Sequence, residues 1–262
     1  MRRHLQLFFQ YFLQYFKVRV SYRADFLIGL ATSIAASLFA FAFVLILFRR
    51  AHIAGWNFWE IIFLFGFSMI PFGIFNVLSL NIYEFGGIYI MEGKFDRVLL
   101  RPVSSLFQVL FEAFRIESFH EVITGTIIVA WASGHLQHHW NALDIVLLIL
   151  FGLCGGVIYI SFFLLLSTVS FWFEDRIGVH PPFWNMIAFG RYPLSIYSGY
   201  IQFLLSWIIP FGFASFYPAV RLLHRSELRS YAPLAPLVTA AMLGITLFAW
   251  SRGVRHYSST GS

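Results

Sequence analysis

The sequence predicts an all-α membrane protein with six transmembrane helices, and three observations carry that prediction. Mean hydropathy is +0.75, with 59% of the 262 residues apolar or aromatic and only 11% charged. A soluble domain instead has about a quarter of its residues charged. The apolar residues gather in long charge-free runs, and the lysines and arginines sort to one side of them.

Residues 1–23 come first. Arg3, Gln6, Gln10, Gln14, Lys17 and Ser21 recur every three or four positions, a polar stripe on an otherwise aromatic helix. That pattern predicts an interfacial helix lying in the inner membrane surface and leading into the first span. A signal peptide would end in small residues, and glutamines would not interrupt its apolar middle.

Charge-free runs then cover residues 26–48, 61–80 (just after Glu60), 145–173, 192–220 and 231–250. Each meets the need for about 20 residues to cross a hydrocarbon core of roughly 30 Å. A shorter run, 122–132, reaches across with the preceding turns and makes the sixth span. Gly29, Ser33 and Ser37 in the first span, and Gly152, Gly155 and Gly156 in the fourth, offer smooth faces for close helix packing.

The fifth run is longer than one crossing requires and contains Pro193, Pro210 and Pro218. Proline removes a backbone donor, so a re-entrant outer turn between spans five and six is expected. The amphipathic stretch 220–230 would then rest on the outer face.

Orientation follows the positive-inside rule. With an internal amino terminus, 13 of the 18 lysines and arginines fall inside: Arg2, Arg3, Lys17, Arg19, Arg23, Lys94, Arg97, Arg101, Arg115, Arg176, Arg191, Arg252 and Arg255. Arg49, Arg50, Arg221, Arg225 and Arg229 fall outside. Both termini are therefore expected in the cytoplasm, and the net charge of +6 reports topology, not nucleic-acid binding. The single cysteine, Cys154, cannot form an internal disulfide. No linker divides the chain, so residues 1–262 read as a single transmembrane domain.

The segment 91–101, MEGKFDRVLLR, interrupts this apolar pattern. Met91, Phe95, Val98 and Leu99 share one helical face, and Glu92, Asp96, Arg97 and Arg101 occupy the rest. Gly86 and Gly87 would loosen the chain before it, and Pro102 would close it. A helix of about three turns on the inner side is expected. Its apolar face is too small to anchor it alone, which suits a helix gripped by a partner. GIYIMEGKF is not a P-loop: the spacing is one residue too long, and Phe95 stands where Ser or Thr should hold magnesium.

The stretch GGIYIMEGKFDRVLLRPVSSLFQVLFEAF resembles the segment after the second span of ABC-2 type transporter permeases. Within it, GKFDRVLLRP is similar to a bacterial-branch signature, G-x-hydrophobic-D-x-x-L-x-R-P. Residues 191–223 resemble that branch's second signature, with YPLSIY, PFGF and YPA in order. The resemblance implies an inner-membrane exporter permease that pairs with a second permease chain, identical or related. Each chain would dock a cytoplasmic ABC ATPase that binds ATP and magnesium, with no cofactor on this chain. It further implies that residues 91–101 form a coupling helix seated on the ATPase. Met91, Lys94, Phe95, Asp96, Arg97, Leu99 and Arg101 would be its coupling residues, and this chain would not be an enzyme.

Other polar groups remain. Glu112, Arg115, Glu117, His120 and Glu121 crowd the inner end of the third span, where they can pair with the basic amino-terminal helix or line an entrance. His135, His138 and His139 suit a solvated outer loop better than a metal site. Asn76, Ser79, Asn81 and Tyr83 in the second span and Gln202 in the fifth are polar groups in spans. Of these, Asn76, Ser79 and Gln202 are candidate substrate-path residues, with helix-to-helix hydrogen bonding the alternative. A secondary carrier would need an intramembrane charge or a broken-helix repeat. A polytopic membrane enzyme would need a catalytic cluster. Neither pattern stands out.

Overall fold

The computed structural model describes residues 2–51, 53–137, 139–173, 180–225 and 231–259, all helix and connection with no strand among them. His138, Arg176, Arg229 and residues 226–230 of the expected outer amphipathic stretch lie outside the described residues. Among the described residues four helices are long and apolar enough to cross a membrane, and a fifth candidate is a bent pair.

Helix α1 (Arg2–Ser21) runs almost directly into α2 (Arg23–Arg50). The α1 glutamine stripe is exposed, while Phe8, Phe12 and Tyr15 pack edge-on against Phe114. Helix α3 (Phe58–Tyr83) is the hub and the most buried of the long helices. Its start is a capping box: Asn57 accepts from the Trp59 N–H and Glu60 accepts from the Asn57 N–H. A π-helical segment, Phe85–Met91, carries the same axis on, so Gly86 and Gly87 are buried in a continuing helix instead of loosening the chain.

Short helices α4 (Lys94–Leu99) and α5 (Ser105–Phe111) follow, then α6 (Phe119–His135). At 17 residues α6 is shorter than the roughly 20 residues of a typical crossing, and the helical turn Ile116–Ser118 just before it lengthens it. It packs tightly on α3, where a Cβ on Gly125 would stand 2.6 Å from the Gly66 carbonyl oxygen. Helix α7 (Ala142–Thr168) begins with a second capping box, from Asn141 and Asp144. Helix α11 (Ala235–His256) lies along α7 in the same direction, with Thr239 and Thr246 donating to the carbonyls of Cys154 and Ser161.

The small-residue faces serve packing within the chain. Gly29 lies against Glu117, and Ser37 shares a 3.0 Å hydrogen bond with His120. A side chain on Gly155 would collide with the Ala214 carbonyl and with Pro71, which pins the fourth run to the hairpin described next.

The region expected to be span five divides in two. From α8 (His180–Met186) the chain climbs the bundle in short, irregular turns. His180 shares a hydrogen bond with Ser167, Trp184 packs on Phe72, Tyr192 packs on Phe48, and Ser195 accepts from Trp56. Only then does the bent pair begin. Gly199–Ile208 and Gly212–Leu222 meet at 78° around Pro210, with α9 (Gly199–Phe203) opening the first limb and α10 (Tyr217–Leu222) closing the second. Arg225, just past that limb, donates to the Gly55 carbonyl at 2.7 Å. The hairpin therefore enters and leaves at the Trp56 end of the bundle, with Phe211 at its tip resting on Tyr159 and Phe162. The run 192–220 thus holds the top of one climbing segment plus nearly all of the bent hairpin.

This geometry corrects one assignment. Arg191 does not sit at the inner end of a span; its guanidinium lies 5.0 Å from the Phe72 ring, at mid-height of α3.

Candidate functional site

Helix α4 is shorter than the three turns expected, because Gly93 takes a left-handed conformation (φ 70°) that divides it from the π segment. The interruption turns the expected apolar face inward only in part. Phe95 and Val98 are fully buried, whereas Met91 and Leu99 are more than 40% exposed. Phe95 enters a compact aromatic cluster with Phe85, Phe171, Trp250 and Tyr257, at ring separations of 5.0–6.1 Å. Those rings come from the α3 extension, the end of α7, and α11 with its tail. Helix α4 is thus bolted to three long helices at once.

Two of the charged residues also turn inward. Lys94 forms a 3.2 Å ion pair with Glu112, which in turn accepts from the Tyr89 hydroxyl at 2.7 Å. Asp96 accepts from Tyr257 and Ser259, tying the carboxy-terminal tail to α4. Burial first, then the Asp96 hydrogen bond and charge, push the Tyr257 phenol up to about 12. Of the seven residues singled out in this helix, Met91, Arg97, Leu99 and Arg101 are left facing outward. Leu100, which the apolar helical face did not include, is 84% exposed and extends that outward surface.

A second feature opens along α3. A cavity of about 380 Å³ is lined by Ser79, Tyr83, Glu84, Arg115, Trp184 and Asn185, between α3 and α8. Asn76 lies behind it, donating to both Glu121 oxygens at 3.1 and 3.2 Å. Gln202 is not brought to this cavity: it donates to the Tyr197 carbonyl and braces the hairpin. Asn81 likewise donates to the Val109 carbonyl. The acids of the former third-span cluster are individually engaged. Glu117 pairs with Arg19 at 2.9 Å, which fastens α1 to the chain before α6, and Arg115 donates its backbone N–H to Val77. At the opposite end His135 stacks on Trp59 at 3.7 Å, and no group of metal ligands forms among the described residues.

A family model described as "ABC-2 family transporter protein" matches residues 32–261, nearly the whole chain. The chain belongs to the ABC-2 transporter family. It is therefore a multi-pass permease subunit of an ABC transporter, a partner of an ABC ATPase and of membrane lipid, and a transport subunit by type. No curated protein and no solved structure matches it. In this ABC-2 permease the outward residues of α4 and the lining of the α3–α8 cavity both put charged or polar side chains at an accessible surface.

Proposed function

We propose that this permease forms half of an ATP-driven exporter, paired with an identical or related chain in a bacterial inner membrane. Its six crossings are α2, α3, α6, α7, the irregular segment 180–198, and α11, with the bent hairpin re-entrant from the outer side. Both termini, α1 and α4 then lie at the cytoplasmic face. The ATPase supplies the nucleotide site, ATP and magnesium, and this chain supplies the path.

One observation carries the reading. Helix α4 exposes Arg97, Leu99, Leu100 and Arg101 while Phe95 locks it to α3, α7 and α11. A docked ATPase that tilts α4 moves three helices as a unit, since packed aromatic clusters transmit displacement instead of absorbing it. Phe95 and Asp96 are then transmission elements, not contacts with the ATPase.

The test compares wild type with a triple variant, Arg97→Ala, Leu99→Ala and Arg101→Ala, purified with the ATPase. The variant should keep its thermal midpoint and lose both ATPase retention and permease-dependent hydrolysis. Full retention of the ATPase by the folded variant would rule out α4 as the docking element.

A further inference from the structure

The α3–α8 seam contains a cation with no job in the coupling scheme. We propose that Arg191, with Arg115 below it, receives the negatively charged headgroup of an amphiphilic cargo whose apolar part lies against Phe72 and Trp184. This rests on the permease reading above, and it names the cargo class for that path.

Arg191 stands near the middle of the long apolar helix α3, against Phe72. Among the described residues its guanidinium makes no hydrogen bond or ion pair, and its buried Nε has no partner. Glu121 is the acid that feels its charge, but both Glu121 oxygens are already taken by Asn76. A cation so placed is costly unless water or a counter-charge reaches it, and such residues mark transport paths.

The seam leaves room for that counter-charge to arrive. Phe72, Trp184 and Arg191 are only half-buried, and Asn185, Ala188 and Phe189 beside them are exposed. Trp184 is shared: it lines the cavity and packs 6.1 Å from Phe72, the ring beside which Arg191 lies. Arg115 provides the first step, since its side chain lines the cavity with only a long 3.5 Å contact to Asn76.

The chemistry selects the ligand. Guanidinium groups bind carboxylate or phosphate through two parallel hydrogen bonds, and aromatic walls accept an acyl or ring system. Two arginines repel a cationic headgroup. Glu84, the acid on the cavity wall, is exposed at the α4 end of α3, about 18 Å of helix rise from Phe72. Glu121 offsets one of the two arginines, and the deep site stays net positive.

The test uses the full chain in phosphatidylcholine nanodiscs without ATPase, probed with dodecyl phosphate, dodecanol and inorganic phosphate. Phenylglyoxal modification of Arg191 is followed by mass spectrometry. Dodecyl phosphate should slow it at least about fivefold where dodecanol and inorganic phosphate do not, as expected of a charge-assisted contact. Arg191→Gln should weaken dodecyl phosphate binding about tenfold or more, with Arg191→Lys recovering part of the loss. Equal protection by dodecanol or by inorganic phosphate would overturn the proposal. So would unchanged binding by folded Arg191→Gln, or an Arg191 that phenylglyoxal cannot reach with no anion present. The protection measurement needs no variant, so it decides even if Arg191→Gln does not fold. Because no ATPase is present, these outcomes are independent of whether α4 docks one.

Discussion

The two ends of the bundle each fasten an irregular element to α3, and they do so with different forces. At one end α4 is held by rings: Phe95 against Phe85, Phe171, Trp250 and Tyr257. At the other end the exit of the hairpin is held by charge. Arg225 donates to Glu60 at 2.6 Å and sits 4.2 Å from the Trp56 ring, and His224, in a left-handed conformation, meets Asp144 at 3.1 Å. Glu60 and Asp144 also cap α3 and α7, so helix starts and hairpin share the same carboxylates. Aromatic burial is insensitive to salt, whereas partly exposed ion pairs are screened by it and exchange partners at small cost.

Four substitutions would break or sharpen that contrast. The largest effect is expected for Phe95→Ala, which leaves a cavity among the four remaining rings and should cost about 3–5 kcal/mol. Salt should not change that loss, and hydrogen exchange should rise in α4 and the end of α11 together; a salt-dependent loss would erase the distinction between the ends. Arg225→Ala comes next. It removes an ion pair, a carbonyl contact and a ring contact for about 2 kcal/mol. Its cost should shrink as salt rises, read from thermal midpoints at low and high ionic strength. Gly155→Ala presses a methyl into the Ala214 carbonyl and Pro71, and should cost about 1–3 kcal/mol. Exchange should then quicken in 204–216 while α4 stays protected, and quickening at α4 would show that the ends are coupled through α7.

The smallest effect is expected for Asp96→Ala, about 1 kcal/mol in total, since the bonds it makes to the tail are partly exposed to solvent. The informative readout is Tyr257. Its folded pKa is raised above the ordinary phenol value of 10, so the stabilisation it reports is complete below pH 10 and lost as pH rises towards about 12. Removing Asp96 takes away the hydrogen bond and the charge but not the burial. The phenolate absorbance step should therefore move down towards 10 without reaching it. No movement would mean that Asp96 does not hold the tail.

The comparison also explains why the two ends were unequally legible. The insert 91–101 was visible because its charges interrupt a greasy chain, and the helix it predicts is present in shortened form. Which of its residues face out was not visible. An apolar residue at i+4 looks the same whether it meets lipid, a partner or Trp250, and Phe95 proved internal while Leu100 proved external. The hairpin was half legible: prolines announced the bend, but its limbs occupy only residues 199–222. The climb from His180 to Ser198 was missed because it has neither a long apolar run nor helical period, with Pro181, Pro182 and Pro193 breaking it. Arg191 was assigned to an end for the same reason, since a charge bordering an apolar run reads as a boundary. Its juxtaposition with Pro181, Pro182 and Trp184 in a stretch of broken helix was the available signal.

Composition and the spacing of charge alone determined that this chain is helical, lives in a bilayer and displays a charged helix beside its second long apolar run. Those properties follow from solvation, which depends on how many apolar residues stand in a row. Which segment climbs the bundle irregularly, which face of α4 is free and where along α3 Arg191 lies were decided by tertiary structure. They depend on which side chains, far apart in the chain, come within a few ångströms of one another, and no local pattern encodes that.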